Sequence, residues 1–104
     1  MGYKVIWTEA ALAELDGILE FISRDSPYYA AIAKDRILET ARNLVPFPFQ
    51  ARIVPEFGQE SIREVFVYSY RLIFKIVGEE ISVQSIVHSA RDFRGAKSSR
   101  ENGH

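Results

Sequence analysis

Residues 62–93 read IREVFVYSYRLIFKIVGEEISVQSIVHSARDF. Apolar side chains alternate along this stretch with the period of two that marks half-buried strands. Three strands are predicted: Ile62 to Val67, Tyr70 to Val77 and Ile81 to His88. Gly78-Glu79 suits a two-residue hairpin turn, because glycine accepts positive φ. Tyr68-Ser69 occupies the other turn, although neither residue favours that conformation. Pairing through these turns separates two faces. Val65, Val67, Leu72, Phe74, Ile76, Ile81, Val83 and Val87 form an apolar face for burial. Glu64, Phe66, Arg71, Ile73, Lys75, Gln84, Ile86 and His88 form a mixed face. A slip of one residue would drive Arg71 and Lys75 into the core, so the register is strongly specified.

Upstream, Tyr3 to Trp7 reads as another strand from its β-branched and aromatic content. Thr8 suits a helix N-cap, with Glu9 in the first turn where the helix dipole favours an anion. Leu12, Leu15, Leu19 and Ile22 make one helical stripe. Gly17 interrupts that helix and implies close approach of a neighbouring element. Ser26 and Pro27 cap and open a second helix. Ala30, Ala33, Ile37, Ala41 and Leu44 form its stripe, and the alanines imply tight packing against the first helix. Pro46 and Pro48 end it. Residues 50–61 read as a loop, lying either across the mixed face or at the sheet edge. The fold class is therefore α+β, in the order β-α-α-β-β-β. An antiparallel helical hairpin covers one face of a mainly antiparallel four-stranded sheet. The second face is left for a partner or ligand.

At 104 residues the chain suits one domain, burying roughly 65% of its unfolded surface. Residues 1–93 form that domain, and 94–104 read as a polar, flexible tail. Cysteine is absent, which removes thiol chemistry and thiolate metal sites and fits a reducing compartment. No apolar run reaches the ~20 residues needed to cross a bilayer, and no signal-peptide pattern opens the chain. The net charge of -1 speaks against strong nucleic-acid binding, which rests on a basic excess. His88 and His104 offer no recurring ligand spacing, so no metal site is expected. No cofactor motif is present. Ser85 or Ser89 with His88 and Asp92 spells the residue types of a hydrolase triad, but no Gly-x-Ser-x-Gly elbow surrounds either serine.

The element order, the Ile62-Arg63-Glu64 opening, Tyr70-Arg71-Leu72-Ile73-Phe74 and His88-Ser89-Ala90-Arg91-Asp92 together resemble the ParE/RelE superfamily of bacterial toxins. The likeness covers about residues 3 to 93. The His-x-Ala-Arg-Asp ending is similar to the ParE branch, often labelled plasmid-stabilisation proteins. That resemblance implies the toxin of a type II toxin–antitoxin pair, cytoplasmic, held silent by a ParD-like antitoxin. It implies DNA gyrase as target, and it leaves room for a higher-order toxin–antitoxin oligomer. The RelE branch implies the alternative, a ribosome-dependent mRNA interferase. There Arg71 would hold the scissile phosphate with Arg91 as second arginine. Glu64 stands where that branch places a phosphate-binding lysine, and no aromatic residue follows Phe93. A non-toxic member that still binds antitoxin is a third reading. Candidate partner contacts are Glu64, Arg71, Lys75, His88, Arg91 and Asp92. Each has a structural counterpart. Arg71 can pair diagonally with Glu64 across the sheet, Arg91 and Asp92 can close the last strand, and His88 can hydrogen-bond Asp92.

Overall fold

The computed structural model describes residues 2–90. Its first strand, β1, is Lys4–Trp7. Thr8 then turns the chain into α1, Glu9–Asp25, its hydroxyl accepting the Ala11 N–H at 3.0 Å. Ser26 serves both helices. Its N–H donates to the Ile22 carbonyl, closing α1, and its Oγ accepts the Tyr29 N–H at 3.2 Å, opening α2. With Pro27 at the first helical position, α2 runs Pro27–Arg42. These caps satisfy backbone groups that no helix can pair internally. A single 3₁₀ turn at Pro48–Gln50 leads into β2, Arg52–Ile53. Three longer strands follow: β3 Ile62–Val67, β4 Tyr70–Val77 and β5 Glu80–His88.

The described residues form one five-stranded sheet in the order β1-β5-β4-β3-β2. Only the β1–β5 pair is parallel. The α+β class and the helical hairpin agree with the sequence reading, but the strand count is five where four were expected. The extra strand is β2, whose two residues pair antiparallel with Arg63 and Glu64. Two residues are too few for any periodicity to announce them.

The helices cover one face. Ala11 and Leu15 of α1 and Ile37 and Ala41 of α2 meet Leu72, Phe74, Ile81, Val83 and Ile86 in the main core. The second stripe is as expected: Ala30, Ala33, Ile37, Ala41 and Leu44 are all buried. The first is rotated. Ala11 is buried and Leu12 exposed, because the smaller side chain lets α1 approach the sheet. Gly17 is not a point of close approach, since no heavy atom lies within 4 Å of the place a Cβ would take.

β5 departs from plain alternation. Ile73 faces Ser85, yet the next residue, Phe74, faces Val83. Gln84 is therefore one residue too many, a β-bulge, and everything beyond it is turned over. Ile86 joins the helix-side core, whereas Val87 packs with Ile73 and Val54 on the opposite face. This reverses the expected places of Ile86 and Val87. It also carries His88 to the helix side, among residues of α1 and α2.

Both hairpin turns exist. Gly78 has φ 59°, as a tight turn requires. At the other turn Tyr68 itself takes φ 52°, a left-handed conformation costing a bulky residue roughly 1–2 kcal/mol.

Gly17 yields a direct test. Its position is helical and open, so Gly17→Ala should raise the unfolding free energy by about 0.5–1 kcal/mol. Urea denaturation would show the midpoint move upward with an unchanged slope; a fall would reveal a contact at this helix face.

Candidate functional site

The expected open face is not open. After β2, the chain folds back over the sheet. Gly58 N–H and Phe57 N–H both donate to the Val54 carbonyl, with Gly58 at φ 63°. This tight turn drops Val54 onto Ile73 and Val87 as a second small core. Beside it, Glu56 reaches down to Arg71. Residues 54–58 thus lie across the mixed face, while residues 52–53 lie at its edge, so both placements left open by the sequence are used.

Arg71 stands at the centre of this strap. Its Nη1 and Nη2 donate to the two oxygens of Glu56 at 2.7 and 2.8 Å, a bidentate pair. Its Nε donates to Glu64 Oε1 at 2.8 Å, and Nη2 lies 2.6 Å from the same oxygen. The residues are 5%, 8% and 2% exposed for Arg71, Glu56 and Glu64. Glu64 Oε2 has no hydrogen bond of good geometry, but Arg52 Nε lies 3.1 Å away and supplies the second positive charge. The distance shows an ion pair, and the off-line angle explains why it fails as a hydrogen bond. Two carboxylates thus face two guanidinium groups. The Glu56 bond is the largest influence holding the Arg71 guanidinium above its ordinary pKa; burial opposes it and Glu64 adds to it. Arg71 is locked in its charged form.

Arg63 fastens the strap's entrance. Its guanidinium donates to the carbonyls of Glu60, Phe49 and Ala51 at 2.7, 2.7 and 2.9 Å. It also lies 5.1 Å from the Phe49 ring centre. At the other side of the sheet, β1 ends opposite Val83, leaving the rest of β5 without a strand neighbour on that side. Glu14 of α1 fills that gap. Its Oε1 accepts the Ile86 N–H at 3.0 Å and the Ser85 hydroxyl at 2.9 Å. A helix carboxylate here replaces a missing strand.

The candidate contacts therefore separate. Glu64 and Arg71 come together, as the diagonal pair the sequence allowed, but both are turned inward. Lys75 is exposed and borders a hollow of about 310 Å³ with Phe57, Ile62, Ile73 and Gln84. His88 lies elsewhere, edge-on to Tyr70 at 5.9 Å, its Nδ1 accepting the Ala90 N–H at 3.1 Å. That bond fixes the tautomer with the proton on Nε2. Arg91 and Asp92 lie outside the described residues, and so do the partnership of His88 with Asp92 and the polar tail. Tyr28 and Tyr29, at the start of α2, are exposed and meet each other edge-on at 5.6 Å. Glu56 and Glu14 had no sequence signal, since a lone carboxylate in a loop or on a helix surface carries no periodicity.

As chemistry, this cluster is closed. Among the described residues the Glu56 carboxylate occupies both Nη positions of the Arg71 fork, so a phosphate taking them would displace Glu56. Among the described residues no group of His, Asp and Glu side chains could hold a metal ion. No helix among them is long and apolar enough to cross a membrane.

Removing Arg71 takes from two buried carboxylates the guanidinium they share. Arg71→Ala should destabilise the domain by about 3–5 kcal/mol. Glu56→Gln, which keeps shape and one acceptor, should cost only about 1–3 kcal/mol. Equal and negligible effects in urea unfolding would mean that the strap is not held by charge.

Comparison with known proteins agrees with this architecture. Residues 5–93 match the family model described as ParE toxin of type II toxin–antitoxin system, parDE. A solved structure titled chromosomal ParDE TA system from P. aeruginosa superposes with a TM-score of 0.69 at 24% identity, covering 83% of this chain and 95% of that one. At that identity the likeness speaks for the fold. No curated protein matches the chain.

Proposed function

We propose, because this chain belongs to the ParE toxin family of type II toxin–antitoxin systems, that it arrests growth by binding a target and not by cleaving RNA. DNA gyrase is the target the family resemblance implies, which would place the protein in the cytoplasm. The observation that carries the reading is the closure of Arg71. A ribonuclease of the RelE type would need this guanidinium free to hold a phosphate, with further cations nearby. Here Glu56 occupies its fork and Glu64 its flank. An RNA backbone would have to evict a bidentate carboxylate and then lie beside two anions. Each like-charge contact of that kind is unfavourable, and the chain's overall charge of -1 gives no compensating attraction.

Inhibition of gyrase needs a surface instead of a catalytic group. Lys75 and His88 are exposed and available to such a contact; Arg91 and Asp92 complete the proposed set. Glu64 and Arg71 would serve it indirectly, by holding the strap whose outer surface carries Phe57. The neutralising partner is a ParD-like antitoxin. Its helix would lie along the α1–α2 hairpin, where Leu12, Phe21 and Ile32 are exposed. An extended segment would pair with the outer edge of β1, which has a neighbour on one side only. Several toxin–antitoxin units can then assemble through the antitoxin.

Purified protein should block gyrase supercoiling in vitro, and antitoxin should restore it. Undiminished supercoiling at excess protein would eliminate this target. Transcripts trimmed in a translating extract, and intact with Arg71→Ala protein shown to be folded, would favour the interferase reading. Normal growth on induction without antitoxin would point to the non-toxic member.

A further inference from the structure

The two edges of the sheet are finished differently. At β2 the edge strand is two residues long, too short to template a further strand. At β1 the edge runs through Lys4-Val5-Ile6-Trp7, with no proline and an unbroken register. Its inner side is bound to β5: the Lys4 N–H donates to the Glu79 carbonyl at 2.9 Å and the Thr8 N–H to the Val83 carbonyl at 3.1 Å. The N–H and C=O of one strand residue leave on the same side, and that side alternates along the chain. Lys4, Ile6 and Thr8 therefore face β5, and the N–H and C=O groups of Val5 and Trp7 face outward. Among the described residues these outward groups find no partner.

Side chains alternate across the two faces of the sheet. Val5 and Trp7 pack onto the main core, whereas Ile6 lies on the opposite face and is 36% exposed. An edge with outward donors and acceptors two residues apart, and an apolar side chain between them, is complementary to itself. Set antiparallel to a second copy and centred on Ile6, Val5 of each copy faces Trp7 of the other and exchanges both bonds, about four hydrogen bonds in all. The two Ile6 residues then form the closer, non-hydrogen-bonded pair at the axis. Lys4 of each copy comes opposite Thr8 of the other, beside Glu9, which is exposed in the first turn of α1. Opposite charges meeting across strands favour this register. Centring the pair on Val5 would keep the hydrogen-bonding parity but set Ile6 against Lys4.

We propose that β1 is a pairing edge for a second copy of this chain, joined antiparallel about a two-fold axis at Ile6 into one continuous sheet. Each copy supplies the same groups, so the interface closes at two copies and does not propagate. The antitoxin segment proposed above would use this same edge, so the two occupants exclude each other; the pairing itself does not rest on that reading. So short an interface falls below the roughly 1,000 Å² of stable complexes, which makes the pair a weak one.

Sedimentation of the full-length protein from roughly 1 to 500 µM should show monomer giving way to dimer. Ile6→Lys, at a solvent-facing position, sets two cations at the axis and should hold the protein monomeric across that range. Val5→Pro removes one outward donor from each copy, leaves the bonds to β5 in place and should act alike. Circular dichroism would show that both variants keep the fold. The chain has no cysteine, so a single introduced thiol reports on the axis. Ile6→Cys should form an intermolecular disulfide roughly tenfold faster than Lys4→Cys, because only residue 6 meets its own counterpart. A protein that sediments as a monomer at every concentration, a dimer unchanged by Ile6→Lys, or equal rates for the two thiols would each overturn the proposal.

Discussion

A guanidinium shut away from water has to find carboxylates, and most of this molecule's second face follows from that requirement. Arg71 lies on β4, the middle strand of five, where four consecutive residues from Arg71 to Phe74 are buried. A strand in that position is covered on both faces. Helices cover one. On the other, the described residues offer the segment after β2, and that segment must bring a negative charge with it. Glu56 does so, and Val54 seals Ile73 and Val87 beside it. The strap is thus tied at one end by hydrophobic burial and at the other by charge.

The strength of that tie is not a measure of its benefit. Desolvating a guanidinium and two carboxylates costs several kcal/mol per ion before any attraction is counted. Well-packed apolar side chains of similar size often serve stability as well. What the ionic version adds is direction. A bidentate fork admits the carboxylate in one orientation, so residues 54–58 have one place to lie. Arg63 works to the same end with three backbone carbonyls at the strap's base. The mixed face is therefore a formed surface of strap and strand ends, not a bare sheet.

Much of this was legible in the chain. Alternation placed β3 and β4 correctly, because both keep strict period-two pairing from Ile62 to Lys75. The caps at Thr8 and Ser26 and the alanine stripe of α2 were equally plain, since each rests on local chemistry. Errors came from non-local causes. The bulge at Gln84 exchanges Ile86 with Val87, and both are apolar, so the sequence pattern looks the same whichever points inward. His88 moved to the helix side for the same reason. Arg71 and Glu64 were seen as a diagonal pair, but Glu56 lies fifteen positions from Arg71 in a stretch with no period. Only folding brings the third member in.

These corrections shift where recognition should be sought. An open half-sheet would have made Arg71 and Glu64 the natural contacts, and any toxin chemistry would have centred on a free arginine. With that arginine enclosed, the accessible features are of another kind. Arg52 lies 5.9 Å from the Phe66 ring while pairing with Glu64, and Phe47, Phe49, Ile53 and Phe57 are exposed on the segment leading to and through the strap. Exposed rings of this kind are the side chains that dominate contacts between folded proteins, whereas the guanidinium groups of Arg52 and Arg71 are already paired with carboxylates and offer a polyanion little. The same internal pairing that fixes the strap therefore also decides which charges the surface can present.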